Sequence, residues 1–257
     1  MTRQIHSCRL VLCTLVLTLS ACGSAASTTQ HSATAVPTDT PEPTTETLGS
    51  GDEPLDSASY RMDLNALGAG AAEFPALLIT VPEGWHNVNG WIVNRPNNVD
   101  SVPPVAVQFW DVDRVYGHPC QWSGTLFEPG PAVDDLAEAL VDVPLRNATQ
   151  PIDVTLDSYA GKYLEWSVPA DMNFSRPGFP DPGEGCDSDS GGTAFQSWTA
   201  NGWATNRYHQ GAGQLDRMWI LDIDGARLVI DAFSMPYATA DDLEELLAVV
   251  ESIRFER

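Results

Sequence analysis

The segment from Arg217 to Phe233, RMWILDIDGARLVIDAF, constrains the fold more than any other part of the sequence. Asp224-Gly225 divides it into two runs, and both residues tolerate the positive φ that a two-residue hairpin turn requires. The runs are apolar on both faces in places, as expected for strands that are covered on both sides. The segment therefore predicts a hairpin near the centre of a β-sheet.

Other segments supply the remaining elements. In residues 152–168, IDVTLDSYAGKYLEWSV, side chains that face opposite ways alternate along two runs separated by a turn, as in a pair of strands. The segments PALLITVPEGW and VPPVAVQFWDV are further strand candidates. Amphipathic patterns predict helices within 131–143 and 239–255, the second with Thr239 as N-cap. The apolar stripe of the first helix is Val133, Leu136, Ala137, Leu140 and Val141. That of the second is Leu243, Leu246, Leu247, Val250 and Ile253. This order of elements predicts an α+β domain with a mostly antiparallel sheet and flanking helices.

The amino terminus predicts a lipoprotein signal peptide over residues 1–21. Two arginines and no acid precede an apolar run, residues 10–19, which is shorter than the ~20 residues that span a bilayer. The run ends Leu19-Ser20-Ala21-Cys22, which resembles the bacterial lipobox. We expect acyl chains on Cys22, and hence a lipid-anchored protein on the extracytoplasmic face of a cell membrane. An ordinary cleaved signal with an incidental cysteine is the alternative interpretation.

A change of composition follows the signal. Residues 22–59 are rich in Ser, Thr, Ala and Pro and have almost no large apolar side chain. Such a segment buries too little surface to offset the entropy of ordering, so we expect a disordered tether. Residues 60–257 have the length of a single domain with its own core.

Charge excludes one class of partner. The chain has 13 Lys+Arg against 35 Asp+Glu, a formal net charge of −22, and removal of residues 1–21 takes it to −24. Nucleic-acid binding requires basic patches that neutralise phosphates, so this balance argues against it. Lys162 is the only lysine. The preference for arginine suggests a GC-rich genome, as in actinobacteria.

Three cysteines remain after the signal: Cys22, Cys120 and Cys186. If Cys22 carries lipid, the other two form an even pair, and outside the cytoplasm such a pair favours a disulfide. A nucleophile or a metal ligand is the alternative, since His118 lies two residues before Cys120. One histidine and one cysteine do not make a zinc site, and we predict no metal and no cofactor.

Two segments resemble a known family. ITVPEGW, Ile79 to Trp85, is similar to the first hairpin of PsbP-like domains, and TADDLEELLAVVESIRF is similar to their closing helix and the strand after it. Actinobacterial lipoproteins of the LpqN type share that α/β/α sandwich, and their lipobox and tether resemble those found here. The resemblance implies a non-enzymatic accessory or ligand-binding module. The loop around Cys186 departs from the pattern.

Aromatic residues concentrate in FQSWTANGWATNRYHQGAGQLDRMW. Trp198, Trp203, Tyr208 and His209 are candidate ligand-binding residues, because aromatic faces with interspersed amides are typical of sugar or apolar-ligand grooves. The alternative is that the tryptophans belong to the core. His209 has no evident nucleophile or acid beside it, so we assign no catalytic residue.

Two further chemistries are tested by motif. SDSGG, with Ser190, resembles the nucleophile segment of chymotrypsin-type proteases, but neither His86 nor His118 has the usual setting of the base. An irregular calcium site is a second alternative to a solvated loop, with the carboxylates of Asp181, Glu184, Asp187 and Asp189.

Three classes of function remain. The first is a lipid-anchored binding or accessory module of the cell envelope, whose ligand is a neutral glycan, a lipid or an envelope protein. The second is a structural envelope protein that acts through protein contacts. The third is a secreted hydrolase that uses the Ser190 or His209 region.

Overall fold

A computed structural model describes residues 45–257, except 69, 71, 98, 190, 191 and 205. Two α-helices, α1 (Val133–Val141) and α2 (Ala240–Glu251), and two short 3-10 helices at Leu64–Leu67 and Pro182–Glu184 accompany the strands. The strands in chain order are β1 (Glu46–Thr47), β2 (Asp52–Pro54), β3 (Ala58–Met62), β4 (Leu77–Val81), β5 (His86–Val88), β6 (Ile92–Arg95), β7 (Val105–Trp110), β8 (Val112–Tyr116), β9 (Leu126–Phe127), β10 (Ile152–Leu156), β11 (Tyr159–Ser167), β12 (Phe174–Arg176), β13 (Phe179–Pro180), β14 (Ser188–Asp189), β15 (Gly192–Thr193), β16 (Gln196–Ala200), β17 (Asn206–Tyr208), β18 (Leu215–Ile223), β19 (Ala226–Ser234) and β20 (Arg254–Phe255).

An eight-stranded sheet forms the centre of the fold. Its order is β10-β11-β18-β19-β7-β6-β5-β2, and every neighbouring pair is antiparallel. A four-stranded sheet, β1-β3-β4-β20, combines one parallel pair, β1 with β3, and two antiparallel pairs. A second four-stranded sheet has the order β17-β16-β8-β9. The prediction of an α+β fold with a mostly antiparallel sheet is confirmed.

The hairpin that dominates the sequence occupies the middle of the large sheet. β18 and β19 pair over nine residues each, from Leu215 with Ser234 to Ile223 with Ala226. Asp224 and Gly225 form the turn with φ values of 54° and 93°, as the predicted turn type requires. Because β11 and β7 flank this hairpin, none of its backbone faces an open edge.

Both helices form where the amphipathic patterns predict them. At the start of α2, the Thr239 hydroxyl accepts the Asp242 N–H at 3.2 Å and the Asp242 carboxylate accepts the Thr239 N–H at 2.8 Å, a reciprocal cap. The stripe of α2 is rotated slightly from the prediction, because Val249 is buried whereas Leu247 is 40% exposed.

The two helices cover opposite faces of the central sheet. Leu246, Val249 and Val250 of α2 pack on one face, together with Val107 and Ile230. Leu136, Ala137 and Leu140 of α1 pack on the other face. The sheet residues that join them in this cluster are Leu164, Met218, Ile220 and Val229. This second face is also covered by the β16–β17 sheet.

The folded part begins earlier than the composition suggested. Residues 45–59 were expected to belong to the tether, yet β1, β2 and the start of β3 lie there. Leu48 and Leu55 enter the main core with 6% and 7% exposure, and Leu48 N–H donates to Arg61 O. Two well-placed leucines and strand pairing therefore outweigh a Ser/Thr/Pro-rich composition. The signal peptide, Cys22 and residues 22–44 lie outside the described residues.

Cys120 and Cys186 lie at disulfide-bonding distance, with Cα atoms 4.1 Å apart and a sequence separation of 66. The predicted pair is present. The pair packs with Val168, Met172 and Phe195 in a small satellite core. Among the described residues, no helix combines the length and the apolar composition that a bilayer crossing requires.

Candidate functional site

The four candidate ligand-binding residues do not lie together on one surface. Trp198 and His209 are each 1% exposed, so the expectation that they line a groove is wrong. Trp198 points from β16 into the core, where its ring packs against Trp110 and Trp166 at centroid distances of 5.8 and 6.0 Å. The alternative that aromatic residues of this segment are core residues therefore holds for Trp198.

Tyr208 and Trp203 retain accessible surface. Tyr208 is 37% exposed and packs beside the turn at Gly178, where an added Cβ would lie 2.5 Å from the tyrosine ring. Trp203 is half-buried, donates its indole N–H to Phe109 O at 2.9 Å and meets the ring of Phe74 edge-on at 6.0 Å. These contacts fix the Trp203 ring with part of its surface in solvent.

Trp203 lines a cavity of about 320 Å³. Ala204 follows Trp203 in the chain, and the other lining residues come from three separate segments: Ser50, Leu67, and Asn89 with Trp91. Trp91, which the sequence did not single out, meets Trp110 edge-on at 4.8 Å, and its indole N–H has no hydrogen-bond partner among the described residues. The cavity, which we call the tryptophan pocket, thus offers two fixed aromatic rings, one amide and one hydroxyl, and none of the described residues that line it is charged.

Asn87 positions one wall of the tryptophan pocket. This fully buried side chain donates to Gly49 O, Gly51 O and Glu53 Oε1 at 2.9, 3.2 and 2.7 Å and accepts from Gly90 N–H at 3.0 Å. It therefore ties the loop that carries Ser50 to the turn that carries Asn89. Ser50 lies in the segment that composition assigned to the tether, which explains why the sequence did not reveal this pocket.

A cluster of buried charges lies beneath the second face of the central sheet. Arg207 of β17 donates to Asp231 Oδ2 at 2.7 Å and to Asp216 Oδ1 at 2.6 Å, and all three residues are at most 2% exposed. His209 Nε2 lies 2.5 Å from Asp216 Oδ2, and Gln214 donates to Asp216 Oδ1 at 2.8 Å. We call these residues, with Arg146, the ionic cluster.

Arg146 enters the ionic cluster from the loop after α1. Its guanidinium lies between two aromatic rings, 4.6 Å from the Trp166 centroid and 4.4 Å from the Phe195 centroid. It donates to Ser197 Oγ at 3.0 Å and to His209 Nδ1 at 2.8 Å. Burial lowers the pKa of Arg146 to about 9, so it stays charged at neutral pH.

The acids and the histidine of the cluster titrate far from their usual ranges. Burial raises the pKa of Asp231 to about 7 and raises that of Asp216, while Arg207 opposes both shifts. Burial, followed by repulsion from Arg146 and Arg207, holds the pKa of His209 well below 6.5. His209 is therefore neutral, and because Nδ1 accepts from Arg146 its hydrogen lies on Nε2 and is donated to Asp216.

Ser197, His209 and Asp216 form a hydrogen-bond chain of the residue types of a hydrolase triad, but with the roles of the two ring nitrogens exchanged. Ser197 Oγ lies 2.9 Å from His209 Nδ1, and the other ring nitrogen meets Asp216. The three residues are only 0–1% exposed, and Arg146 donates to the serine oxygen that would act as nucleophile. A substrate carbonyl therefore has no access to this oxygen, and the arrangement acts as structural support. Ser190 lies outside the described residues.

Three of the remaining candidate residues, His118, Glu184 and Asp187, have structural partners. His118 Nδ1 accepts the backbone N–H groups of Cys120 and Gln121 at 3.1 and 2.8 Å, so it shapes the turn before the disulfide. Glu184 accepts from Asn173 at 2.8 Å, and Asp187 accepts from Ser123 N–H at 2.7 Å. Within the described residues, no group of three or more His, Cys, Asp or Glu side chains is placed to hold a metal ion.

Comparison with known proteins adds no assignment: no protein-family model and no curated protein matches this chain. Function is therefore argued from the pockets and their chemistry alone.

Proposed function

We propose that this protein is a lipid-anchored binding module of the cell envelope and that it binds a neutral glycan in the tryptophan pocket. The observation that carries the proposal is the pairing of Trp91 and Trp203 around one cavity with an amide and a hydroxyl. Aromatic faces pack on the apolar faces of sugar rings, while amides and hydroxyls bind their hydroxyl groups. The indole N–H of Trp91, which has no partner among the described residues, supplies one further donor.

The absence of charge in the pocket lining supports a neutral ligand. The protein as a whole is strongly acidic, so an anionic ligand would be repelled. Because Asn87 holds both loops of the wall in place, little ordering entropy is lost when a ligand binds. A rigid, uncharged pocket on an acidic protein suits a polymer that offers many hydroxyl groups.

The binding test compares tryptophan variants by titration calorimetry with neutral oligosaccharides of several sugar configurations. Trp91→Ala and Asn89→Gly should each weaken binding about tenfold or more, since each removes a stacking face or a hydrogen bond. Asn89→Gly keeps the backbone intact, because Asn89 has φ 57° and glycine accepts that conformation. Trp122→Ala, outside the pocket lining, is the matched control and should bind normally. Equal binding by all three variants would remove the pocket from the proposal.

The anchor is proposed from the lipobox at Leu19-Ser20-Ala21-Cys22. Cys22→Ser should yield an unlipidated precursor that no longer partitions into detergent, whereas Cys13→Ser, within the signal segment, should partition normally. If the Cys22 variant still partitions, the anchor is not on this residue. The extracytoplasmic location and an actinobacterial source rest on the same segment and on the arginine bias.

We propose further that the domain is PsbP-like. The support is the similarity of ITVPEGW and of the closing helix, which correspond to β4 with the turn after it and to α2 with β20. A helix on each face of the central sheet agrees with an α/β/α sandwich. An experimental structure whose strand order differs from that of PsbP-like domains would overturn this assignment.

A further inference from the structure

A second cavity, of about 210 Å³, opens beside β6, β7 and β19. Its apolar walls include Ile92, Val102 and Phe233, and its polar side chains are three carboxamides, Asn94, Gln108 and Gln210, and the hydroxyl of Ser101. No charged side chain among the described residues lines it, although the chain carries a net charge of −22. We call it the carboxamide pocket; it shares no lining residue with the tryptophan pocket.

The carboxamides of this pocket lack protein partners. Gln108, in the middle of β7, is only 7% exposed, and its Oε1 is buried without a hydrogen bond. The side chains of Asn94 and Gln210 likewise have no partner among the described residues. A buried amide oxygen without a partner is unfavourable, so the position of Gln108 calls for an explanation.

We infer that the carboxamide pocket binds the acetamido group of an N-acetylated amino sugar. A trans secondary amide points its N–H and its C=O in opposite directions, so it needs an acceptor on one side and a donor on the other. A carboxamide serves as either, and three of them stand on β6, β7 and the loop after β17. The acetyl methyl group would pack on Phe233 and Val102, with the sugar ring at the mouth.

A peptide also carries secondary amides, but the surroundings disfavour it. Peptides that bind a sheet add a strand at its edge, where backbone groups are free. β6, β7 and β19 are interior strands, each hydrogen-bonded on both sides, so they offer no such groups. A cavity of about 210 Å³ admits one small group rather than an extended chain.

The experiment uses the full chain and three probes: N-acetylglucosamine, glucose and the peptide mimic N-acetylalanine methylamide. Saturation-transfer NMR should show the strongest signal on the acetyl methyl group of N-acetylglucosamine, and calorimetry should give glucose an affinity about tenfold lower or weaker still. Gln108→Met replaces the glutamine with a side chain of similar volume and should lower the affinity for N-acetylglucosamine about tenfold. The melting temperature should stay the same or rise, because the unpartnered acceptor is gone. Gln121→Met, an exposed glutamine, is the matched control and should change neither.

Three results would overturn the inference: equal binding of glucose, tighter binding of the peptide mimic, or unchanged binding by Gln108→Met. Gln210→Ala, in a loop, repeats the test should Gln108→Met fail to fold. Trp91→Ala separates this site from the tryptophan pocket. If Trp91→Ala abolishes N-acetylglucosamine binding and Gln108→Met does not, this inference is wrong and the proposed glycan site stands.

Discussion

The two faces of the central sheet differ in chemistry, although the same strands supply both. Toward α2, β19 presents Leu228, Ile230 and Ala232, and the layer they join is almost entirely apolar. On the opposite face, β19 presents Val229 and then Asp231, so the apolar packing under α1 gives way to the ionic cluster. The face toward α2 is closed by a helix, whereas the cluster is closed by a loop and two short strands.

The two faces differ in what they contribute to the fold: one contributes mainly stability and the other mainly the positions of its elements. Apolar burial stabilises roughly in proportion to area and tolerates changes of shape. A buried ion pair gains little net free energy over an apolar pair of the same volume, yet removing one partner is strongly destabilising. The ionic cluster therefore fixes the position of its elements more than it adds stability. It ties the loop after α1, β16 and β17 to the central sheet, beside the wall of the carboxamide pocket that Phe233 forms.

The largest effect is expected for Arg207→Met. Asp216 and Asp231 would remain buried without their shared cation, which costs about 3–5 kcal/mol of unfolding free energy. The matched control is Arg217→Met on the face toward α2, where the guanidinium meets Glu165 at 3.7 Å near solvent and should contribute less than about 1 kcal/mol. Denaturant titration measures both. Equal losses would show that the two faces do not differ as described.

Leu246→Ala tests the apolar face. Leu246 is fully buried on α2, so its truncation leaves a cavity and should cost about 2–4 kcal/mol. Leu247→Ala changes the neighbouring residue, which is 40% exposed, and should cost less than about 1 kcal/mol. A large loss for Leu247→Ala would indicate that this side of α2 is covered by a partner in solution.

Asp231→Asn tests the titration of the ionic cluster. The folded pKa of Asp231 is raised to about 7 against 3.8 in the unfolded chain, so the folded state binds the extra proton between these values. Stability from this group is present at low pH and is lost as pH rises through about 7. Asparagine mimics the protonated acid and does not titrate. The unfolding free energy of the variant, relative to that of the parent, should therefore rise by about 1–3 kcal/mol from pH 5 to pH 8.

Asp242→Asn is the control for that experiment, and its effect on stability should depend on pH in the opposite direction. Hydrogen bonds from Thr239 and the charge of Arg95 outweigh burial and lower the pKa of Asp242. Its stabilising contribution is present above the unfolded pKa and is lost as pH falls through the folded pKa. The variant should therefore be the less stable protein at pH 7, and the gap should close in acid. A pH-independent gap for Asp231→Asn would contradict the raised pKa.

The sequence predicted the elements whose signals are local. The Asp224-Gly225 turn, the cap at Thr239 and the stripes of both helices each depend on residues a few positions apart, and all formed, although Val249 rather than Leu247 is buried in the stripe of α2. The ionic cluster joins Arg146 to residues as distant as His209 and Asp216, so no local pattern reveals it. One signal was present: Asp231 interrupts the apolar run LVIDAF, and an acid on a covered strand needs a buried partner.

The candidate sites illustrate the same limit. Composition correctly marked the region of Trp203 as aromatic, but it could not tell Trp198, which faces two other tryptophans, from Trp203, which faces a cavity. Trp91 and Ser50 reach that cavity from segments that were assigned no role, because Asn87 draws their loops together. Gln108 lies in the strand candidate VPPVAVQFWDV, to which no site residue was assigned.

Among the substitutions in the ionic cluster and in Ser197 beside it, the smallest effect is expected for Ser197→Ala, which also decides how the Ser197, His209 and Asp216 chain is interpreted. Arg146 keeps the bonds from Nη2 to Gln196 O and from Nη1 to His209 Nδ1, so the substitution removes the last partner of neither donor and should cost about 1 kcal/mol of unfolding free energy. Ser234→Ala, on the face toward α2, removes an acceptor of Arg217 at 3.2 Å and should cost less, because that guanidinium can turn to water. If these three residues act only as support, Ser197→Ala should leave the binding of glycan and of N-acetylglucosamine unchanged. Neither the variant nor the parent protein should then hydrolyse a p-nitrophenyl ester above the background rate. Ester turnover by the parent that Ser197→Ala abolishes would instead show that the cover over the ionic cluster opens, and that the face we assign to structural support is an active site.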